Sequence, residues 1–362
     1  MGYPSKRLSD YKGRDNNFNL IRMIAAMLVI ATHAFGITGS TRFEPMVRGF
    51  GIGQGDVGVD IFFFLSGFLV SKSWSGKTCM EFAWARCTRI YPALAVSTII
   101  STVVVGIFFC NVSLRQFLGS ASTVSYLAHD VTVLPGVGAR LLLPGAFGLA
   151  NPPFNLSLWT LPHELGMYIL LAIIGLAVGL RPAWVALVAA LGAAAAVLGE
   201  TAHLHVMEID RARFLYFFFT GSLAFTLRER IVLSGRIALI TVAVVALAVI
   251  AHAPILFRDA ALVIGLPYVV LWCAYVPAGA LRLWNALGDY SYGTYIWAFP
   301  IQYGLFAEGI ATTPARSFFF TTPLVLLCAI ASWHLIERPA LQLELPRFRA
   351  PSMRKGVSNP AE

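Results

Sequence analysis

Ten stretches of this chain are apolar for long enough to cross a bilayer, and little of comparable length lies between them. In hydrocarbon every backbone N–H and C=O must find its partner within the segment, so such a chain folds as helices. The runs cover about 20–38, 58–72, 91–110, 161–180, 183–199, 212–227, 236–253, 260–278, 290–307 and 317–336. Only 12% of the 362 residues are charged and the mean hydropathy is +0.72, far from the balance of a soluble domain. The expected fold is an all-α polytopic membrane protein with about ten transmembrane helices. One transmembrane domain fills 1–345, the longest connection is about 111–157, and 346–362 is a short basic tail.

The distribution of Lys and Arg sets the orientation. With ten spans the two termini and every second loop share a side, and most of the 27 basic residues fall there. Both termini are therefore expected in the cytoplasm, and the first span is read as a retained helix. The net charge of +9 is mostly this topological signal. No folded basic face is visible, which argues against nucleic acid as a partner. Five cysteines, Cys79, Cys87, Cys110, Cys273 and Cys328, show neither pairing nor ligand spacing, so neither disulfides nor a metal site is expected.

Within the first span, NLIRMIAAMLVIATHAF, Arg22 and His33 are eleven residues apart. They share one stripe of the helix and stand roughly 16 Å apart along its axis. Ionisable groups inside a membrane segment are costly, which makes this pair a site candidate. A snorkelling arginine and a histidine bonded to a neighbouring helix would be the plainer explanation. Asp60, in GVDIFFFLSGF, and Glu164, in NLSLWTLPHELGMY, open their spans at a depth similar to that of His33. A carboxylate within reach of the imidazole would hold its tautomer and raise its basicity, so His33, Glu164 and Asp60 are the catalytic candidates. For Asp60 a helix N-cap is the competing role. Glu164 and Tyr168, four apart, face one side beside Pro162, while His163 points about 100° away.

At the opposite side, EFAWARCTRIYPAL places Arg86 and Arg89 three residues apart on one helical face. Two guanidiniums so spaced can fork a phosphate, although positive-inside anchoring alone would also put them there. Tyr292 and Tyr295, in GDYSYGTYIWAFP, lie on adjacent turns of the ninth span. Glu337, in WHLIERPAL, is a possible partner for Arg22, Arg86 or Arg89. His203 and His205, with Glu208 and Asp210, read as a solvated loop.

Six strings occurring in order resemble the acyltransferase-3 family of integral-membrane O-acyltransferases. They are Arg22 with ten residues before His33, GVDIFFFLSGFLVSKSW, Arg86-x-x-Arg89-Ile-Tyr-Pro, NLSLWTLPHELGMY, SYGTYIW and Glu337-x-Pro339, spanning Asn16 to Pro339. The resemblance implies transfer of an acyl group, commonly acetyl from acetyl-CoA, from the cytoplasm to a hydroxyl presented at the outer face of the bacterial inner membrane. His33 would be the general base, with Glu164 and Asp60 beside it. Arg22, Arg86, Arg89, Tyr292 and Tyr295 would bind the acyl-CoA co-substrate. The NPPFNLSLWTLPHE stretch most resembles members that modify exopolysaccharide, capsule or O-antigen, so the expected acceptor is a surface polysaccharide or its lipid-linked precursor. Two positions depart from the family's pattern. Ala298 stands where many relatives carry a histidine, and Asn19 stands where they often carry an aspartate, which disfavours an ion pair to Arg22 within the first helix. Export of a glycan or solute without chemistry, and acylation of a macrolide-type molecule, are the alternatives.

Overall fold

A computed structural model describes residues 6–11, 13, 15–134, 146–148, 154–201 and 206–345. Ten long helices occupy the ten expected positions. They are α1 (Phe18–Ile37), α2 (Gln54–Trp74), α3 (Cys79–Phe108), α4 (Leu161–Ala177), α5 (Pro182–Thr201), α6 (Val206–Thr226), α7 (Gly235–Ile250), α8 (Ile255–Tyr275), α9 (Ser291–Ala307) and α10 (Pro314–Ser332). Among the described residues, seven are by length and composition apolar enough to cross a membrane: α1, α2, α3, α4, α5, α8 and α10, with α4 counted from Leu156 and α10 counted to Leu341. The other three are less uniform. α7 and α9 are shorter, and α6 carries Asp210, Arg211 and Arg213 in its first half. Apart from these helices, Lys6–Arg7 pairs antiparallel with Val232–Leu233.

Several boundaries move from their expected places. α3 begins at Cys79, a dozen residues before the apolar run, because Thr78 caps it and accepts from the Glu81 N–H. Arg86 and Arg89 therefore lie within a continuous helix, with Pro92 inside it. α2 likewise begins at Gln54, with the Asp56 carboxylate accepting from the Gly53 N–H at 2.8 Å. The N-cap residue is Gly53, Asp56 reaches back to it from the third helical position, and Asp60 lies a further turn into the helix, so it is not the cap. α4 is preceded by a 3₁₀ turn, Leu156–Thr160, and α10 runs into a π turn, Trp333–Glu337. The connection after α3 contains two short helices, Leu114–Gly119 and Ala121–Thr132.

α2 is the most buried of the spans and is the hub of the bundle. Its face packs on α6 through Phe63, Phe64 and Phe68 against Phe214, Phe217 and Phe218, with the Phe63 and Phe214 rings stacked at 4.3 Å. In lipid the hydrophobic effect gives helices little reason to associate, so close backbone approach has to do it. Two glycines permit that approach. A Cβ on Gly67 would fall 1.8 Å from the Phe218 carbonyl oxygen, and one on Gly221 would fall 2.0 Å from that of Phe64. At the start of α1 the buried Asn17 amide donates to the carbonyls of Cys273 and Pro277, each at 2.9 Å, fixing α1 to the end of α8.

Gly221→Ala should therefore push α2 and α6 apart at a cost of about 1–3 kcal/mol. A lowered unfolding midpoint in detergent is the expected readout. Gly36→Ala, where nothing lies within 4 Å of the added carbon, should leave the midpoint in place.

Candidate active site

A cavity of about 320 Å³ opens among α1, α2, α3, α4 and α9. Arg22, Arg86, Arg89, Glu164, Tyr292 and Tyr295 all line it, together with Ser66, Thr160, Tyr168 and Asp289. Six of the eight residues singled out in the sequence are thus brought to one space. A second hollow of about 580 Å³, bordered by Lys77 and Trp84, shares Ala85, Arg86 and Leu341 with it.

The three arginines are not equivalent. Arg22 donates to Asp289 Oδ2 at 2.7 Å, and Arg89 donates to the same oxygen at 2.6 Å. Arg89 also reaches Glu337 at 3.4 Å and lies over the Tyr292 ring at 5.6 Å. The Tyr292 hydroxyl is itself occupied, donating to the Ile90 carbonyl at 2.9 Å. Arg86 has no carboxylate partner among the described residues; its guanidinium lies 5.8 Å from the Phe82 ring and 5.7 Å from that of Tyr168. Asp289, just before α9, is buried, which by itself would raise its pKa. The two guanidiniums and the Ser291 hydrogen bonds outweigh burial and hold it at about 2.

Glu164 faces the arginine cavity rather than His33. Its Oε1 accepts from the Ser66 hydroxyl at 2.9 Å and from the Tyr168 hydroxyl. It lies in the first turn of α4, directly after the 3₁₀ turn, and lines the cavity together with Arg86 of α3. Tyr295 shares a 2.6 Å hydrogen bond with Thr160, and its ring meets Phe62 edge-on at 5.8 Å. Along α9, Tyr292 and Tyr295 line the cavity, while Phe299, about one turn further on, packs edge-on against His33 at 5.0 Å. His33 itself is not among the cavity's lining, and its Nδ1 is buried with no hydrogen-bond partner among the described residues.

No carboxylate bonds that nitrogen. Asp60, fully buried, instead takes the Arg213 Nε–H at 2.9 Å, and Arg213 also reaches Asp259 at 3.1 Å. An acid that the sequence motifs did not bring out bonds the residue just before His33. Glu44, fully buried, accepts from the Thr32 hydroxyl and from the Gln54 N–H, each at 2.6 Å, beside the histidine's own turn. His163 packs against the Trp159 and Phe214 rings, and His203 and His205 lie outside the described residues. Asp289 was also missed. Its only local sign was its place in Gly288-Asp289-Tyr290-Ser291, and its partners are 267 and 200 residues away.

Residues 15–334 match the acyltransferase domain that defines the acyltransferase-3 family. This chain belongs to that family. An O-acetyl transferase of Shigella phage Sf6 is 25% identical over 92% of this chain and 98% of its own length. Nodulation protein 10 of Rhizobium leguminosarum bv. viciae is 28% identical over 44% of each chain. No solved structure gives a significant match.

Because Asp60 and Arg213 form a buried pair, truncating one strands the other's charge. Arg213→Ala should cost about 3–5 kcal/mol of stability. Thermal unfolding of the purified variant measures this, and an unchanged midpoint would show the pair to be dispensable for the fold.

Proposed function

We propose that this protein is a membrane O-acetyltransferase that takes an acetyl group from acetyl-CoA at its cytoplasmic side. It would pass the group to a hydroxyl of a surface polysaccharide, or of its lipid-linked precursor, at the outer side of the bacterial inner membrane. The observation that carries this reading is the convergence of Arg22, Arg86, Arg89, Glu164, Tyr292 and Tyr295 on one cavity in a chain of the acyltransferase-3 family. The phage relative's description as an O-acetyl transferase supports the acetyl group and the oxygen acceptor.

CoA is too large and too charged to cross lipid, whereas its pantetheine arm is long and narrow. Its anionic end would stay at the arginine end of the cavity, where the second hollow meets Arg86. The arm would extend past Tyr295 and Thr160 toward His33, so that only the acyl group nears the acceptor. The Arg22-to-His33 separation of roughly 16 Å is within that arm's reach. His33, as the neutral imidazole, would take the proton from the acceptor hydroxyl as its oxygen attacks the thioester carbonyl. The thiolate leaves and is protonated to give CoA. Tyr295 and Thr160, the last polar pair of the cavity on the way to His33, would have to part for the arm to pass.

Purified protein given radiolabelled acetyl-CoA should hydrolyse it slowly or transfer the label to a glycan acceptor. His33→Ala should lose transfer by about 10²-fold or more while remaining folded. Transfer at the wild-type rate would remove the base assignment. Arg86→Ala should raise the KM for acetyl-CoA with a smaller effect on kcat; an unchanged KM would remove the phosphate role.

A further inference from the structure

The cavity's arginine cluster has a charge arrangement that donor binding alone does not explain. Arg22 and Arg89 arrive from α1 and α3, and both end on one oxygen, Asp289 Oδ2. The other oxygen of that carboxylate is fixed as well, accepting from the Ser291 hydroxyl at 2.5 Å and the Ser291 N–H at 3.3 Å. Asp289 is held in place by its neighbour. Gly288 adopts a φ of +127°, and a Cβ there would lie 2.3 Å from the Trp333 indole nitrogen. On the far side of Arg89 stands Glu337, 2% exposed, presented by the π turn and held by the Ser332 hydroxyl at 2.9 Å. Two guanidiniums thus meet two carboxylates, and the cluster is neutral. Arg86 is the remaining cation of the cavity wall; the wall's other carboxylate, Glu164, is bonded to Ser66 and Tyr168 rather than to Arg86, whose Nε is buried without a hydrogen-bond partner among the described residues.

We infer that Asp289, with Glu337 behind it, is a positioning residue that silences Arg22 and Arg89, so that the anionic end of the donor is drawn to Arg86 alone. An oxygen shared by two guanidiniums sets their spacing, and opposite charges in a poorly solvated cavity cancel more completely than they would in water. Three uncompensated arginines would hold a polyanion so tightly that spent CoA would leave slowly. One cation gives a foothold and permits release. The inference rests on the reading that acyl-CoA is the donor.

Its test is a comparison of wild type with Asp289→Asn and Glu337→Gln in full-length purified protein, using acetyl-CoA as substrate and free CoA as product inhibitor. Either variant uncovers positive charge, so the KM for acetyl-CoA and the inhibition constant of CoA should both fall, by roughly three- to tenfold. kcat should fall with them as product release slows, and the KM should rise more steeply with salt than in wild type. CoA should also raise the unfolding midpoint of the variants by more than it raises that of wild type. Asp289→Glu, which keeps the charge, should restore CoA inhibition to the wild-type value. A purely structural role predicts lower kcat with unchanged or weaker binding of CoA, and that result overturns the inference. If Asp289→Asn fails to fold, Glu337→Gln decides in the same way, because it uncovers the charge from a different helix. Wild type that neither binds nor consumes acetyl-CoA would sink the proposed function itself. Wild type that does both, beside variants with unaltered CoA inhibition, would sink only this inference.

Discussion

A single carboxylate oxygen, Asp289 Oδ2, holds together the end of the bundle where the cavity lies. Arg22 on α1 and Arg89 on α3 both terminate on it, and the Asp289 turn leads directly into α9, so three helices meet at one atom. Glu337 extends the chain of charges to the π turn after α10. In a medium that cannot solvate charge, an arginine without a partner would be driven toward the headgroups. Here Arg22 and Arg89 stay inside because each has found a carboxylate, while Arg86 lies against the Phe82 and Tyr168 rings. The cavity can therefore be polar without being strongly charged.

The same logic divides the molecule's buried ions into two groups. Arg213 with Asp60 and Asp259 ties α6 to α2 and α8, and Asp60 does not line the cavity. Arg22, Asp289 and Arg89 line the space where a ligand fits, and Glu337 pairs with Arg89 from outside that lining. Tyr295 and Thr160, joined by a hydrogen bond, line the cavity, and Phe299, one turn beyond Tyr295 on α9, packs against the His33 imidazole.

Much of the architecture was legible without coordinates. Each long apolar run became a helix, because a buried backbone has no other way to pair its polar groups. Boundaries slipped where polar caps lie outside the apolar run. Thr78 starts α3 twelve residues early, and α2 is capped at Gly53, with Asp56 rather than Asp60 reaching back to it. Of the site, Arg22 and Glu164 were marked as ionisable groups within apolar runs, Arg86 and Arg89 by their spacing on one helical face, and Tyr292 and Tyr295 by lying on adjacent turns, and all six share a cavity. The pairing of Glu164 or Asp60 with His33 was not found, since similar depth along two helices says nothing about which faces meet. Asn19 disfavoured an ion pair for Arg22 within its own helix, and the pair that forms instead reaches α9's first turn.

The sequence by itself determined an all-helical membrane fold and which side chains are too costly to bury idly, because hydrocarbon length and desolvation act on each segment separately. Only the tertiary structure decided who neutralises whom. That Arg89 meets two carboxylates while Arg86 lies against aromatic rings, and that Glu164 turns to Ser66 and Tyr168, depends on how the helices are rotated against one another. Charge pairing between residues some 200 positions apart is a property of distance in space, and local pattern carries no record of it.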